Sequence, residues 1–435
     1  MRLESGWGQL GMGFNIWRDC KRVPITELLS FIVDNRGKTV PTAPSGHKLI
    51  ATNCVTNDTL FPVYEKIRYL SEETYQTWFR AHPLPGDILF VNKGTPGRVC
   101  LVPDPVDFCI AQDMIALRVD DTKIYNKYLF AVLRSREIQQ QIYNTNVGDV
   151  IPHFKKQFMN QLLIPVPERE IQETIGDLYY LLSFKIEHNK KINENLEKQA
   201  QALFKHWFVD FEFPNEEGKP YRSSGGKMVE SEMGLIPEGW FVKNIGDVVK
   251  IVGGNTPSTA NPEYWDGGIH PFCTPKDLAS LRSPILLDTE RHLTNSGVQK
   301  ISSKQLPSGT LLLSSRAPIG YTAISAVPLS INQGFIALLC NENISNVYLL
   351  HWLQENMDDI KGRANGSTFL EISKSNFRSI PFIVPNETVL SAYNDIVKPY
   401  YHLIENATKE SERLEEMRDI LLPKLMNSEI NVLAN

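Results

Sequence analysis

Apolar residues recur in alternating steps of four and three along two stretches of this chain, and one constant numbering offset of 218 relates the stretches. The first runs Ile171, Ile175, Leu178, Leu182, Lys185, Asn189, Ile192, Leu196, Gln199 and Leu203. The second runs Val389, Tyr393, Ile396, Tyr400, Leu403, Ala407, Glu410, Leu414, Met417 and Leu421. Seven of ten positions are apolar in the first and nine of ten in the second. That period is the seam of a two-stranded coiled coil, so the spacing predicts two long helices in a tandem duplication. The polar seam positions Lys185, Asn189, Gln199 and Glu410 either pin register or are tolerated near solvent or a partner.

The first helix is expected to begin after Ile164-Pro165-Val166-Pro167, where Glu168, Glu170 and Glu173 favour the positive end of the dipole, and to run to about Phe208. At about 1.5 Å per residue such a rod is roughly 60 Å long. The second is expected to start after Pro385 with Asn386 as its cap and to stop near Leu422, before Pro423. Pro399 should kink it or interrupt one turn. Between the helices, Phe213 to Trp240 is rich in Gly, Pro, Ser and charge and reads as an extended, solvated connector.

The regions before each helix repeat as well. Gly86 and Gly97 match Gly309 and Gly320; Gln112 and Ile115-Ala116-Leu117 match Gln333 and Ile336-Ala337-Leu338. Tyr128-Leu129 matches Tyr348-Leu349, Gly148 matches Gly366, and the Ile-Pro-Val-Pro run matches Phe382-Ile383-Val384-Pro385. The offset drifts from 223 to 218, so a common frame carries loops of different length. Strands are expected at Asp87–Val91, Met114–Val119, Thr310–Ser314 and Gly334–Leu339, and helices at Lys127–Tyr143 and Asn346–Asp358. The fold class is α+β.

The chain has 435 residues and a net charge of −5, which looks unfavourable for a nucleic-acid binder. Divided, the picture changes. Residues 19–165 hold 17 basic and 15 acidic side chains and residues 238–385 hold 12 of each, while both helical stretches are net −3. The globular parts could therefore approach phosphate with local Lys and Arg clusters. Six cysteines without CxxC spacing suggest reduced thiols in a cytoplasmic protein. No signal peptide is visible. The whole stretch Ala317–Cys340 lacks charge, but its prolines and polar residues favour buried strands and turns over a membrane span.

Catalytic signatures are not apparent. Arg36-Gly37-Lys38-Thr39 lacks the first glycine of a phosphate loop, and Asn261-Pro262-Glu263-Tyr264 lacks the second proline of the adenine-methyltransferase tetrapeptide. The nine histidines show no metal-ligand spacing, and His206 beside Trp207 reads as a packing or docking residue. More suggestive are two polar glycine loops, Lys93-Gly94-Thr95-Pro96-Gly97-Arg98 and Arg316-Ala317-Pro318-Ile319-Gly320-Tyr321. Glycine lets backbone N–H groups approach phosphate, and Arg or Lys there can reach phosphate or guanine; a tight turn with a solvated basic residue is the plainer reading. Gln112 and Gln333 could read adenine or be structural. Lys155, Lys156, Lys361, Arg363, Asn365 and Lys374, near the Gly148 and Gly366 loops, are further candidates. The DNA-contact set is thus Lys93, Arg98, Gln112, Lys155, Lys156, Arg316, Gln333, Arg363, Asn365 and Lys374.

Several strings together resemble the specificity subunits of type I restriction–modification systems. They are Gln201-Ala202-Leu203-Phe204-Lys205-His206-Trp207-Phe208-Val209-Asp210-Phe211, Gly218-Lys219-Pro220-Tyr221, Gly225-Gly226-Lys227-Met228-Val229, Gly234-Leu235-Ile236-Pro237-Glu238-Gly239-Trp240 and Pro85-Gly86-Asp87-Ile88-Leu89-Phe90. The resemblance starts near Asp19. It implies two α/β-mixed target recognition domains separated by two long antiparallel coiled-coil helices, with an internal pseudo-twofold. The expected division is an extension at 1–18, recognition domains at 19–165 and 238–385, helices at 166–212 and 386–425, a linker at 213–237 and a tail at 426–435. Each domain would read one half of an asymmetric, bipartite double-stranded DNA target. The helices would set the spacer and dock methyltransferase (modification) subunits, two in number, beside restriction/translocase subunits. The chain itself would be non-catalytic and hold neither metal nor cofactor, with S-adenosylmethionine and ATP/Mg on partner subunits. A coiled-coil adaptor or receptor-type protein without a DNA role is the alternative.

Overall fold

Strands whose every side chain is buried, Ile88–Val91 and Leu311–Ser314, lie at the centre of each half, because both faces of their sheets are covered. The computed structural model describes residues 15–35, 38–145, 152–340, 344–365, 370–427 and 429–430. The fold mixes helices with short strands and divides into two units, Met1–His188 with Ser411–Asn435, and Asn189–Glu410.

In the first unit the elements are β1 (Lys21–Pro24), β2 (Leu29–Asp34), β3 (His47–Ile50), β4 (Arg68–Leu70), β5 (Ile88–Val91), β6 (Val99–Leu101), β7 (Phe108–Ile110) and β8 (Met114–Val119). Helices α1 (Asn126–Arg134) and α2 (Arg136–Asn144), strand β9 (Leu163–Val166) and the start of α3 (Arg169–Phe204) follow. A four-stranded sheet has the order β2-β8-β5-β6, a three-stranded sheet the order β4-β3-β7, and β1 pairs with β9. Ile88, Phe90, Ile115 and Leu117 face α1 on one side, while Leu89, Val91, Met114 and Ala116 meet Val33 and Ile50 on the other. Ile16 and Trp17 share the first of these cores with Leu422, Leu425 and Met426 near the chain's far end, and the Asn15 amide donates to Asn427 Oδ1 at 3.1 Å.

The second unit contains β10 (Met228–Ser231), β11 (Gly234–Pro237), β12 (Phe241–Asn244), β13 (Lys250–Gly253), β14 (His270–Cys273), β15 (Ile285–Leu286), β16 (Arg291–Leu293) and β17 (Leu311–Ser314). After these come β18 (Thr322–Ser325), β19 (Ser330–Ile331), β20 (Phe335–Leu339), α4 (Asn346–Glu355), α5 (Met357–Gly362), β21 (Pro381–Val384) and α6 (Glu387–Met426). Its sheets run β13-β20-β17-β18-β15 and β16-β14-β19, with β12 on β21. Apart from β15 and the β10–β11 hairpin, each strand has its counterpart in the first unit with the same neighbours.

Several expectations need correction. The buried line of α3 runs through Tyr179, Ser183, Ile186, Asn193, Ala200 and Phe204, and that of α6 through Val397, Tyr401, Ile404, Arg418 and Leu422, one residue on from the expected seam. Ile171, Ile175, Val389 and Tyr393 are buried, but Leu178, Leu182, Ile192, Leu196, Leu203, Tyr400, Leu414 and Leu421 are only half-buried. Ile396, Leu403 and Met417 are 38%, 55% and 49% exposed. Ser183, Asn193, Ala200 and Arg418 interrupt the innermost line with small or polar side chains, so hydrophobic spacing alone points to its flank. Inside the second unit Asn189 is buried, and its amide donates to Glu410 Oε2 at 2.8 Å and to the Ala407 carbonyl at 3.3 Å. There Phe204 faces Tyr393, so these segments of α3 and α6 run in opposite directions.

Helix α6 is one continuous element through both Pro399 and Pro423. Both prolines are exposed, and burial of Leu422, Leu425 and Met426 holds the last turn beyond the expected stop. Helix α3 ends at Phe204 in a π-turn, Lys205–Val209, in which Trp207 is buried and His206 exposed, so the packing residue is the tryptophan. The supposed connector is not simply extended: Phe213 stacks on Tyr221 and Trp240 at 4.5 and 5.1 Å, and β10 and β11 form a hairpin. The helix expected over Lys127–Tyr143 is two, broken at Ser135, whose hydroxyl caps α2. Likewise the Asn346–Asp358 helix breaks at Asn356.

Candidate nucleic-acid interface

Each glycine loop leaves the buried central strand of its unit and promptly turns back. In the first unit the Gly97 N–H donates to the Val91 carbonyl at 2.9 Å, and Gly94 and Gly97 have φ of 86° and 90°, the left-handed region that favours glycine. Neighbouring chain holds the loop from both sides. Asn92 N–H donates to the Asp113 carbonyl at 3.0 Å, and Phe154 N–H donates to the Asn92 carbonyl at 2.8 Å. Lys93 therefore bridges His153, with Lys155 close by. Burial, then the charges of Lys93 and Lys155, pull the His153 imidazole below its ordinary range, against the pull of Asp113. Lys156 pairs with Asp34. Gln112 adjoins Asp113, and its buried Oε1 has no hydrogen-bond partner among the described residues. Arg98 is half-buried at the far end of the loop, on the Val91 side. Beside the loop an open groove of about 480 Å³ is lined by Gly94, Thr95, Pro96, Arg136, Gln139 and the 74%-exposed Tyr143.

The second unit builds the same seat from other residues. Gly320 N–H donates to the Ser314 carbonyl at 3.1 Å, Ser315 N–H to Gly334 at 2.8 Å, and Ile372 N–H to Ser315 at 3.0 Å. Arg316 takes the place of Lys93, but its neighbour is Glu371, at 3.7 Å. Asn365 pairs with Glu371 through two backbone bonds of 3.0 and 2.9 Å. Gln333 Oε1 accepts from Thr256 Oγ1 at 2.7 Å, and the end of the Lys374 side chain lies over Gly253. Arg363 is turned to Asp359 at 2.8 Å, within its own helical turn. The structure thus gathers Lys93, Gln112 and Lys155 in one unit and Arg316, Gln333, Asn365 and Lys374 in the other. Lys156 and Arg363 are drawn off into ion pairs. The Gly148 and Gly366 loops, Arg36-Gly37 and positions 1–14 lie outside the described residues. Asn261 caps a short turn over Pro262–Tyr264, as a loop reading requires.

His153 and Glu371, which distinguish the two seats, carry no local sequence signal. A second feature is repeated as well. The His47 ring bonds Glu72 at 2.5 Å, and the His270 ring bonds Asn295 at 2.7 Å. Both pairs, with Arg68 and Arg291 between them, obey the offset of 223 that relates Gly86 to Gly309. Extending that offset upstream would have revealed them. Among the described residues no group of three or more His, Cys, Asp and Glu is placed to hold a metal ion.

Two segments, residues 42–198 and 237–416, match the family described as type I restriction modification DNA specificity domain, and together they cover more than half of the chain. The chain belongs to this family. It is 40% identical over 200 residues to the type I restriction enzyme MjaIX specificity subunit of Methanocaldococcus jannaschii, a match covering 43% of this chain and 44% of that protein. The chain therefore spans less than half the length of that relative. The HindI specificity subunit of Haemophilus influenzae is 25% identical over 401 residues, with 79% of this chain and 86% of that protein covered. The crystal structure of the type I restriction–modification S subunit from M. genitalium shares the fold, with a TM-score of 0.54, 16% identity and coverage of 94% and 96%. Specificity subunits are the non-catalytic, DNA-recognising components of restriction–modification complexes. No helix among the described residues is long and apolar enough to cross a membrane.

Proposed function

We propose that this chain selects the DNA sequence for a type I restriction–modification complex, each unit's recognition domain reading one half of an asymmetric bipartite target. One observation carries the reading: the same strand order is built twice, and the equivalent loop seats differ in chemistry, Lys93 with His153 and Lys155 against Arg316 with Glu371. Two like frames with unlike surfaces suit two unlike half-sites. Helices α3 and α6 act as an antiparallel coiled coil about an approximate twofold and set the spacer. Their exposed apolar residues, Leu181, Phe184, Leu403, Met417 and Ile420, suit docking of two modification subunits, with restriction/translocase subunits joining beyond. S-adenosylmethionine and ATP/Mg are held by those partners, and the complex works in the cytoplasm, in keeping with six unpaired cysteines.

Methylome sequencing of the host with and without the gene tests this. One interrupted motif with two different halves should vanish on deletion. An unchanged methylome, or loss of a continuous motif, would refute the reading.

A further inference from the structure

Residues 47–97 and 270–320 correspond at one constant offset of 223, from strands β3 and β14 to the glycine loops. Across this stretch surface chemistry has diverged: Lys48 corresponds to Pro271, Arg80 to Ser303, and Lys276 to Asn53. The positions that are Lys or Arg in both units are 68/291 and 93/316. The second pair sits in seats of different charge, since Arg316 meets Glu371. The first pair is preserved in kind and in strand register, although among the described residues only Arg291 has an aromatic ring beneath it, position 42 in the first unit being threonine. Arg68 and Arg291 open β4 and β16, in register with Leu49 and Phe272. Both are exposed, and neither has a carboxylate partner among the described residues. Arg291 lies over Trp265, its guanidinium carbon 3.6 Å from the ring centre, which orders the side chain while its N–H groups have no hydrogen-bond partner among the described residues. The His47–Glu72 and His270–Asn295 bonds fasten the turn after each strand, so both arginines stand on strands braced at the same place.

A residue repeated in two domains that read different sequences cannot carry the difference between them. What two unlike half-sites share is the sugar–phosphate backbone, and a planar guanidinium fork matches a phosphodiester. We propose that Arg68 and Arg291 each hold one backbone phosphate beside the half-site that their own unit reads. This rests on the DNA-reading function above. The competing role is structural, because β4 and β16 are edge strands and a charged edge residue discourages pairing with another chain.

The test uses the full-length chain and a duplex that the unsubstituted chain selects from a randomised pool, with affinity measured across a salt series. R68A and R291A should each flatten the plot of log affinity against log salt by about 0.9, with an additive loss in the double variant. The selected sequence should not change, and R68K and R291K should keep the slope. Unchanged slopes, with or without self-association in light scattering, overturn the proposal, as does an altered base preference in either half. Failure of the unsubstituted chain to select any sequence is a different result, which removes the function on which the proposal rests.

Discussion

Buried His351 and half-buried Glu197 show how single groups set the pH response of the second unit. The His351 ring lies between the hydroxyls of Tyr393, at 2.6 Å, and Tyr401, at 3.0 Å, one ring nitrogen donating and the other accepting. Burial pushes its imidazole from 6.5 down to about 4. Between those values the unfolded chain binds more protons than the folded one. Stability from this group is complete above about pH 6.5 and declines as pH falls towards 4, by up to about 3 kcal/mol. Glu197 works in the opposite sense. Burial, followed by the charge of Glu194, raises its carboxyl to about 7, so its contribution is full below pH 4.5 and is lost as pH rises through 7. We predict that H351F flattens the acid limb of a plot of melting temperature against pH. Glu197→Gln should raise stability at pH 8 by on the order of 1 kcal/mol, after discounting for its partial exposure, with little gain at pH 5. A parallel shift at both pH values would contradict that assignment.

At the scale of elements, close approach of helix to helix rests on Gly176. A β-carbon there would stand 2.6 Å from the Tyr128 backbone nitrogen and 2.9 Å from the Lys127 carbonyl carbon. Gly176→Ala should therefore lower the urea midpoint, costing about 2 kcal/mol, although alanine favours an isolated helix by about 1 kcal/mol. At the equivalent place on α6 stands Asn394, which accepts a 2.5 Å bond from the Ser345 hydroxyl. Pro399→Ala should act the other way, since an interior proline costs a helix about 3 kcal/mol and this one is exposed. These sites also explain what the sequence could and could not reveal. The two helices and the duplication were legible because heptad spacing survives in both copies. The innermost line was not, because Gly176, Ser183, Asn193 and Arg418 lie on it, and a search for apolar residues passes over them. The glycine loops and their basic residues were legible from local strings. Their partners were not, because His153 and Glu371 reach them from distant points later in the chain, beyond the range of any local motif.

For the whole molecule, the proposed function makes α3 and α6 a measure of distance between half-sites. Inserting one heptad into one of the helices should change the number of bases between the methylated halves and leave both half-sites as they were; an unchanged interval would discredit that role. Exchanging the recognition region of one unit for that of another family member should alter one half-site alone, as mapped by sites of adenine methylation. Asn15, Trp17, Leu425 and Asn427 come together in the first unit. The direct consequence concerns the order of writing rather than the object written. A gene opened at the exposed Glu232-Met233 turn, with a short peptide joining Asn427 to Asn15, would spell the same set of contacts from a different starting letter.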